Sequence, residues 1–279
     1  MTARKTQGGS AKERAGFSLL PSHRRGIEAV AADTARAFGR HTHDQFGIGL
    51  IERGAQKSAS GRGTVEAGPG DIITVNPGEV HDGTPIGEGG RAWRMLYLDP
   101  AIVAELSADL AEGGWASCEF TTPTLRDARI AARFTALFDA LTTPESDQAG
   151  LSVDEALLCC MSPLLEPRRA ASLNVPAGIA SARALIDDDP LGTWTLAMLA
   201  EQAGLGRYQF LRGFARATGL PPHAYTMQRR IHHARGLIRQ GMRLADAAAA
   251  SGFADQSHMT RLFVRTFGIA PGSFAKART

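Results

Sequence analysis

Two stretches near the end of the chain carry arginines whose spacing suits contacts with nucleic-acid bases and phosphates. The first reads R-G-F-A-R-A-T-G-L-P-P-H-A-Y from Arg212, and the second reads R-L-F-V-R-T-F-G-I-A-P-G-S-F from Arg261. Both fit R-x-F-x-R-x-x-G-x-x-P-x-x-aromatic at an offset of 49 residues. A guanidinium can bond a guanine edge bidentately or bind phosphate. The pattern therefore indicates an internal repeat that presents the same cationic chemistry twice.

Each copy follows the pattern of a helix-turn-helix, with a support helix, a turn that contains glycine, and a second helix with one exposed face. In both units small and apolar residues form the inner face. Asp255 is the expected N-cap of the second helix in the second unit. Arginine and glutamine on an exposed face suit guanine and adenine respectively. The residues predicted to contact DNA are Arg207, Tyr208, Gln209, Leu211, Arg212, Gln256, Ser257, His258 and Arg261.

A second group of chemically useful residues lies in the first third of the chain. Residues 41–54 read H-T-H-D-Q-F-G-I-G-L-I-E-R-G, and on a single strand the odd-numbered positions share one face. That face runs from His41 and His43 to Arg53, with glycines in the middle that would leave room for a small molecule. Trp93 and Met95 share a face of a later strand with Tyr97 and would form a wall of the same pocket. The pattern favours hydrogen bonding to a small ligand.

The elements that would position these residues change in type along the chain. Residues 20–100 are predicted to be β-structure, because their apolar stretches are short and broken by glycine and proline. Residues 124–141 and 150–165 have apolar positions at helical spacing. These two helices would pack either on the barrel or on a second subunit. After a linker, further helices are predicted at about 180–188, 195–203, 207–218, 222–240, 244–251 and 255–267, most of them ended by glycine.

The predicted fold class is therefore α+β with two domains: an N-terminal β-barrel with following helices, and an all-α C-terminal domain with two helix-turn-helix units. The expected boundaries are a disordered tail at 1–19, the barrel domain at 20–166, a linker at 167–177 and the helical domain at 178–279. Residues 181–279 carry 13 lysines and arginines against 6 acidic residues, whereas the rest carries 18 against 22. A basic module joined to an acidic one suits a nucleic-acid reader attached to another domain.

Composition excludes several other classes. No apolar run is long enough for a transmembrane helix, so no membrane partner is expected. The polar start has no apolar region typical of a secretory signal, which favours a cytoplasmic location. Cys118, Cys159 and Cys160 match neither a disulfide framework nor a zinc motif and are expected to be reduced thiols.

Residues 178–279 closely resemble the AraC/XylS family of bacterial transcription regulators. The family hallmark stands here as G-F-A-D-Q-S-H-M-T-R-L-F-V-R-T-F-G-I-A-P from Gly252. The resemblance implies two helix-turn-helix units joined by a long helix, with recognition helices entering successive major grooves about 34 Å apart. By position, the resemblance implies that the residues that contact bases are Tyr208, Leu211 and Arg212 in the first unit, and Gln256, Ser257, His258 and Arg261 in the second. Arg216 and Arg265 would touch phosphate or hold structure, and Gly206 replaces the usual serine or threonine cap.

Residues 30–105 resemble, less specifically, the cupin barrel of AraC-type N-terminal domains, including the P-G-E-x-H turn that ends at His81. This resemblance implies an organic effector in the barrel and a ligand contact from Arg53. The expected ligand-binding residues are His41, His43, Arg53, His81, Trp93 and Met95. In cupin enzymes an H-x-H pair, a glutamate and a distal histidine bind a metal, but the glutamate position near 47 is glycine here. We therefore expect no metal, no cofactor and no catalytic residues, although a structural role for His81 stays open.

The resulting interpretation is a sequence-specific transcription regulator, expected to be an activator, that is controlled by a small-molecule effector. Its expected partners are double-stranded DNA, the effector and RNA polymerase, and a homodimer stays open. The main alternative is a cupin metalloenzyme fused to a helix-turn-helix domain. An alkyl-repair protein that carries the same DNA module is a weaker alternative, because it needs a four-cysteine metal site and the chain has three cysteines.

Overall fold

The first half of the protein is built from antiparallel β-sheets, as its sequence predicts. The structure is a computed structural model that describes residues 16–110, 117–143, 153–168 and 175–277. The six-stranded sheet has, in order across it, β1 (Gly16–Leu20), β2 (Ile27–Thr34), β9 (Arg91–Leu98), β4 (Phe46–Arg53), β7 (Ile72–Val75) and β11 (Thr124–Leu125). The four-stranded sheet has β3 (Phe38–His41), β8 (His81–Ile86), β5 (Ala55–Ser60) and β6 (Gly63–Ala67). A separate pair consists of β10 (Cys118–Phe120) and β12 (Leu165–Pro167).

The six-stranded sheet separates two apolar layers. On β9, Leu96 and Leu98 face a cluster formed with three helices, whereas Trp93 and Met95 face the interior between the sheets. Alternation along a strand produces this division, because successive side chains point to opposite faces. The covering helices are α1 (Pro100–Leu110), α2 (Ala128–Thr142) and α3 (Val153–Met161). Phe134 and Leu137 of α2 are fully buried in this layer, so the helices pack on their own sheet.

Three features of the N-terminal half differ from the sequence-based expectation. Strand β1 starts at Gly16, inside the segment expected to be a disordered tail, because Phe17 and Leu19 pack against the inner apolar cluster. Helix α1 was not predicted. Of the helices predicted at 124–141 and 150–165, the first begins only after its N-cap Asp127, and the second ends at Met161. The expected tail at 1–15, the helix start at 150–152 and the linker at 169–174 lie outside the described residues.

The second half is helical, and its helices match the predicted ones to within a few residues. They are α4 (Ala177–Asp188), α5 (Leu196–Gln202), α6 (Arg207–Thr218), α7 (Pro222–Arg239), α8 (Leu244–Ala250), α9 (Gln256–Phe267) and α10 (Pro271–Lys276). Gly219 and Gly268 end α6 and α9 in the left-handed region, at φ of 82° and 78°. Only glycine adopts this conformation without strain, which is why it ends both repeats. None of the helices in the described ranges has the length and apolar content needed to span a bilayer.

The long helix α7 lies against the N-terminal sheets, and its contacts are mostly ionic. Arg235 and Arg239 both pair with Glu28 of β2. Arg235 also donates to Gln45 Oε1 at 2.7 Å, and Arg239 lies 3.3 Å from Asp99. Gln45 in turn donates to Asp99 at 2.8 Å. A single network therefore joins the two halves of the chain, although its members are separated by up to 211 residues in sequence.

A second contact group continues along the same face of α7. His232 lies 3.0 Å from both the Thr42 hydroxyl and the Asp44 carboxylate. Arg229 lies 3.3 Å from Asp44, and the Thr42 amide donates to Gln228. The α7 positions 228, 232, 235 and 239 repeat at intervals of three and four, which places them on one stripe of the helix. The basic excess of the C-terminal half is therefore partly neutralised by the acidic N-terminal half.

We expect Glu28→Gln to weaken this attachment strongly, because it leaves Arg235, which is 8% exposed, without its carboxylate partner. Breaking one side of a buried ion pair costs about 3 kcal/mol. Glu66→Gln is the matched control, because it breaks the exposed Lys57–Glu66 pair, which is worth less than about 1 kcal/mol. Urea unfolding and hydrogen exchange of the α7 amides measure the difference. Equal effects of the two substitutions would contradict the role given to Glu28.

Candidate functional site

A cavity of about 90 Å³ lies between the two sheets, behind the strands that carry the predicted ligand-binding residues. Five of those six residues line it, namely His41, His43, His81, Trp93 and Met95. Other residues of the N-terminal half that line it include Phe17, Phe38, Gln56, Ser58, Glu79, Asp82, Arg91 and Tyr97. Aromatic walls with a few convergent polar groups are typical of small-molecule sites.

The three histidines of the cavity form one contiguous cluster. His41 ends β3, His81 begins β8, and the two residues are paired across the sheet. Nδ1 of His41 donates to the Gly39 carbonyl at 2.8 Å, and Nδ1 of His81 donates to the Glu79 carbonyl at 3.1 Å. A carbonyl partner requires a proton on Nδ1, so Nε2 of each neutral ring carries a free lone pair. His43 Nε2 lies 3.1 Å from His41 Nε2 and is placed to donate to it.

Burial keeps all three rings neutral. Desolvation lowers the pKa of His41 to about 3, and the neighbouring His81 contributes to this shift. Desolvation, followed by repulsion from His41, holds the pKa of His43 well below its ordinary value. Burial also lowers the pKa of His81, although the Glu79 carbonyl opposes this shift. The cluster therefore presents neutral nitrogen donors and acceptors to the cavity.

The same three histidines are the residues that could hold a metal ion in the described part of the chain. Their nearest ligand atoms all lie within 4.8 Å of one another. Three imidazoles suit a divalent transition metal that keeps an open position for another ligand. At Gly47, the place of the expected glutamate, an added Cβ would lie 2.5 Å from Met95 Cε. A fourth protein ligand from that position would therefore displace Met95.

The glycines of the predicted binding face have a different role from the expected one. An added Cβ at Gly49 would lie 2.5 Å from the Met95 sulfur and 2.7 Å from the Arg94 carbonyl oxygen. The space that Gly47 and Gly49 leave is thus filled by Met95 and by the neighbouring strand. These glycines allow close packing inside the sheet instead of forming the cavity.

Arg53 lies outside the cavity, contrary to the expectation. The pairing of β4 with β9 shifts register between Ile51 and Arg53, so the alternation of side chains is interrupted there. Arg53 is consequently exposed, pairs with Asp33 at 2.5 Å and donates to the Gly89 carbonyl at 2.8 Å. Residues 41–45 also do not continue β4, because β3 ends at His41 and belongs to the other sheet.

The cationic residue inside the cavity is Arg91, which the sequence analysis missed. It is 1% exposed and donates to Gln56 at 2.8 Å and to the carbonyls of Arg36 and Gly83 at 3.1 and 3.3 Å. Its guanidinium lies 4.7 Å from the Trp93 ring centroid. Extending the alternating face of β9 by one step, from Trp93 back to Arg91, would have found it.

The C-terminal half also contributes to the cavity wall, through Thr266 and Phe267 at the end of α9. The Phe267 ring lies 6.3 Å from the His43 ring and 5.5 Å from the His232 ring, measured between centroids. Nothing in the sequence indicated this contact, because these residues are separated from the N-terminal sheets by most of the chain.

The predicted DNA-contacting residues of the first unit lie on one face of α6, and most are exposed. Tyr208 is 69% exposed, and the guanidinium of Arg212 lies 5.6 Å from its ring centroid. Arg207 is also exposed, and Leu211 is half-buried. Gln209 accepts a hydrogen bond from the Gly206 amide at 3.4 Å. Its side chain therefore helps to cap the start of α6, because Gly206 has no side chain that could do so.

The predicted residues of the second unit lie at the start of α9. Gln256, Ser257 and Arg261 are exposed. Asp255 caps the helix as expected, by accepting from the His258 amide at 2.7 Å. The His258 ring packs edge-on against Phe253 at 5.4 Å, which leaves it half-buried. The two exposed faces remain open while the helical half is attached to the sheets.

The histidine cluster makes stability depend on pH. In the unfolded chain histidines take up protons near pH 6.5, whereas burial lowers the pKa of all three folded rings, to about 3 for His41. As pH falls from 6.5 towards 4, the free energy of unfolding should decrease by about 1.4 kcal/mol per pH unit for His41, and His43 and His81 should add contributions of the same sign. Urea unfolding at several pH values measures this slope.

A double variant His41→Gln/His43→Gln should show a smaller slope than the natural chain. His223→Gln, which changes an exposed histidine of α7, should leave the slope unchanged. Identical slopes in all three proteins would show that the buried rings titrate normally.

Two family models match the chain on either side of the α4 region. Residues 26–159 match the AraC-like ligand binding domain, and residues 199–277 match a helix-turn-helix domain. The chain is 28% identical over 227 residues to the uncharacterized HTH-type transcriptional regulator YbfI of Bacillus subtilis, which covers 80% of this chain and 81% of that protein. It is 33% identical over 87 residues to the virulence regulon transcriptional activator VirF of Yersinia enterocolitica, covering 31% and 32% respectively.

The arrangement of both halves also resembles a solved structure. ToxT from Vibrio cholerae superposes with a TM-score of 0.54 at 12% identity, covering 95% of this chain and 98% of that one. The predicted two-domain fold is thus confirmed, with a helix-turn-helix domain that binds DNA and a ligand-binding domain for a small-molecule effector. The chain belongs to the AraC family of transcription regulators.

Proposed function

We propose that this regulator binds a small organic carboxylate in the cavity of its N-terminal domain and reads an operator with the exposed faces of α6 and α9. The observation that carries the effector class is the buried guanidinium of Arg91 inside the cavity. The chemistry of the site is binding, and regulation follows from a difference in ligand affinity between two states of the protein.

Arg91 supports a carboxylate because its positive charge is not neutralised by any described residue. Its three hydrogen bonds all go to neutral acceptors, and burial lowers the pKa of Arg91 to about 10, so it stays charged at neutral pH. Burying an unpaired charge is unfavourable, and a carboxylate is the acceptor that matches a guanidinium best. The three histidines are neutral and cannot repel the cation.

The two acidic residues at the cavity are engaged elsewhere. Glu79 accepts from the Asn76 side chain at 3.0 Å and lies 3.6 Å from Arg62. Asp82 accepts from the Ala59 amide at 2.7 Å. Neither carboxylate forms an ion pair with Arg91. Phe38 and Trp93 flank the guanidinium and suit an apolar, preferably aromatic, ligand body.

For the DNA-binding half, we propose that the base contacts come from Tyr208, Leu211 and Arg212 in α6, and from Gln256, Ser257, His258 and Arg261 in α9. Arg207 and Gln209 flank the first set. The exposure of Tyr208, Arg212, Gln256, Ser257 and Arg261 supports this assignment, since base edges are reached only by side chains that project into the groove. Leu211 and His258 are half-buried and are assigned by their positions beside these residues. Arg216 and Arg265 lie in the last turns of α6 and α9 and suit phosphate contacts.

Activation of transcription is the proposed direction of control, supported by the similarity of an 87-residue stretch of the chain to the activator VirF. Contact with RNA polymerase and formation of a homodimer are part of the same proposal. A metal-dependent enzyme attached to the DNA-binding module is the second candidate, favoured by the histidine cluster. One equivalent of zinc or iron in the purified chain, lost when His41 and His43 are replaced, would favour the enzyme.

We expect Arg261→Ala to weaken binding to the natural operator by about 1–3 kcal/mol and to relax specificity at one base pair. Footprinting upstream of the regulator's own gene and its neighbours defines the operator, and fluorescence anisotropy then measures affinity. Arg129→Ala is the matched control, since it removes one exposed positive charge from α2 in the N-terminal domain. Operator affinity that is equal in the two variants would contradict the assignment of Arg261.

We expect benzoate to bind the full-length protein and the neutral isostere benzamide to bind much more weakly. Arg91→Met should reduce benzoate affinity about 10- to 100-fold, because a charge-assisted hydrogen bond is lost. Arg53→Met is the matched control and should have no effect, because Arg53 lies outside the cavity. Calorimetry measures binding, and quenching of tryptophan fluorescence supports it, since Trp93 lines the cavity. Equal affinity for benzoate and benzamide would exclude the carboxylate class.

A further inference from the structure

The wall that α9 contributes to the cavity contains a polar group without a partner. Thr266 lines the cavity and is 2% exposed, yet its hydroxyl oxygen makes no hydrogen bond with the described part of the protein. A buried hydroxyl without a partner is unfavourable and is rare in folded proteins. An explanation is therefore needed for a threonine at this position.

Four other threonines in the described helices are satisfied locally. Thr135, Thr142, Thr218 and Thr226 each donate to the carbonyl oxygen four residues earlier, at 2.8 to 3.1 Å. Thr266 does not make this bond. Because threonine has two accessible χ1 rotamers in a helix, its hydroxyl can turn towards a molecule in the cavity. The unpartnered group thus lies beside the space where a ligand would supply an acceptor.

The internal repeat shows that this feature is confined to one of the two units. At the offset of 49 residues, Thr266 and Phe267 correspond to Ala217 and Thr218. The first unit ends at Gly219, which packs against Val80 outside the cavity lining. The second unit ends at Gly268, which packs against Phe17, a lining residue. The hydroxyl occurs in the copy that borders the cavity, and the other copy has alanine there.

We propose that the effector site is shared between the two domains, with Thr266 of α9 donating a hydrogen bond to the bound carboxylate ligand and Phe267 covering it. This inference rests on the proposed function, since it assumes that the cavity binds an organic acid. Thr266 is a ligand-contacting residue in the DNA-binding domain. The ligand then bridges the domains beside the ionic network that already holds α7.

A shared site couples ligand binding to the attachment of the second helix-turn-helix unit. When the unit detaches, the cavity loses a wall and a hydrogen-bond donor, so the ligand binds the attached form more tightly. By linkage, the ligand must stabilise the attached form to the same extent. The effector therefore controls how firmly α9 is held against the N-terminal sheets.

Thr266→Val in the full-length protein tests the proposal, with benzoate as the probe. Valine keeps the shape of threonine and removes only the hydroxyl. Benzoate affinity should decrease about 5- to 10-fold, as expected for the loss of one hydrogen bond. Thr266→Ser keeps the hydroxyl and should bind within about twofold of the natural protein. Thr260→Val, on the same helix but outside the cavity lining, is the control and should bind normally.

Two further measurements separate a ligand contact from a structural role. Without benzoate, Thr266→Val should unfold at the same or a higher temperature, because an unsatisfied buried group has been removed. A lower unfolding temperature would indicate a structural hydroxyl and overturn the proposal. In hydrogen exchange, benzoate should protect the amides at the end of α9 in the natural protein and protect them less in Thr266→Val.

The outcomes distinguish this inference from the proposed function. Benzoate binding that depends on Arg91 but is unchanged in Thr266→Val would leave the effector class intact and overturn the shared site. Failure of the natural protein to bind benzoate and other aromatic or aliphatic monocarboxylates would overturn the effector class and the shared site together. Weakened binding in Thr266→Val and normal binding in Thr266→Ser and Thr260→Val would support both.

Discussion

The burial of Arg235 is the constraint on which the arrangement of the two halves depends. Its guanidinium contacts Glu28 and Gln45 of the N-terminal half and lies over the rings of Phe267 and Phe274 in the C-terminal half. The buried charge of Arg235 is compensated only where Glu28 and Gln45 converge on it, so α7 has one strongly favoured position against the sheets. Since α7 connects both helix-turn-helix units, its position against the sheets also determines where α6 and α9 are placed relative to the N-terminal half.

In the two repeated units, the glycine that ends the recognition helix occupies the same position but contacts different parts of the N-terminal half. Both recognition helices end at a left-handed glycine, and each glycine packs against an apolar side chain of the N-terminal half. One contact lies outside the cavity and the other lies at its edge. The repeat thus gives the protein two similar helix-turn-helix units, and in the described part of the structure it is the second unit that borders the cavity. This difference between the two glycine contacts becomes apparent only when the two units are compared with each other.

The sequence predicted the features that depend on local patterns. Glycines marked the helix ends, alternation placed Trp93 and Met95 on the inner face, and the repeated arginines identified the two units. The prediction was wrong for Arg53, because a register shift interrupted the alternation that placed it inward. The role of Gly47 was misjudged, because Met95 fills the space beside it. Thr266 and the partners of α7 were missed, since such contacts join residues that are far apart in the chain.

The composition of the cavity wall has a consequence for the modular view of such regulators. Because α9 closes part of the pocket, the N-terminal domain does not possess a complete binding surface of its own. A chimera that joins these sheets to the DNA-binding module of a relative would change the pocket as well as the operator. The residues that border the pocket, Thr266 and Phe267, end the same helix whose first turns carry the proposed DNA contacts, so a change at either end of α9 acts on a helix that both halves of the protein use.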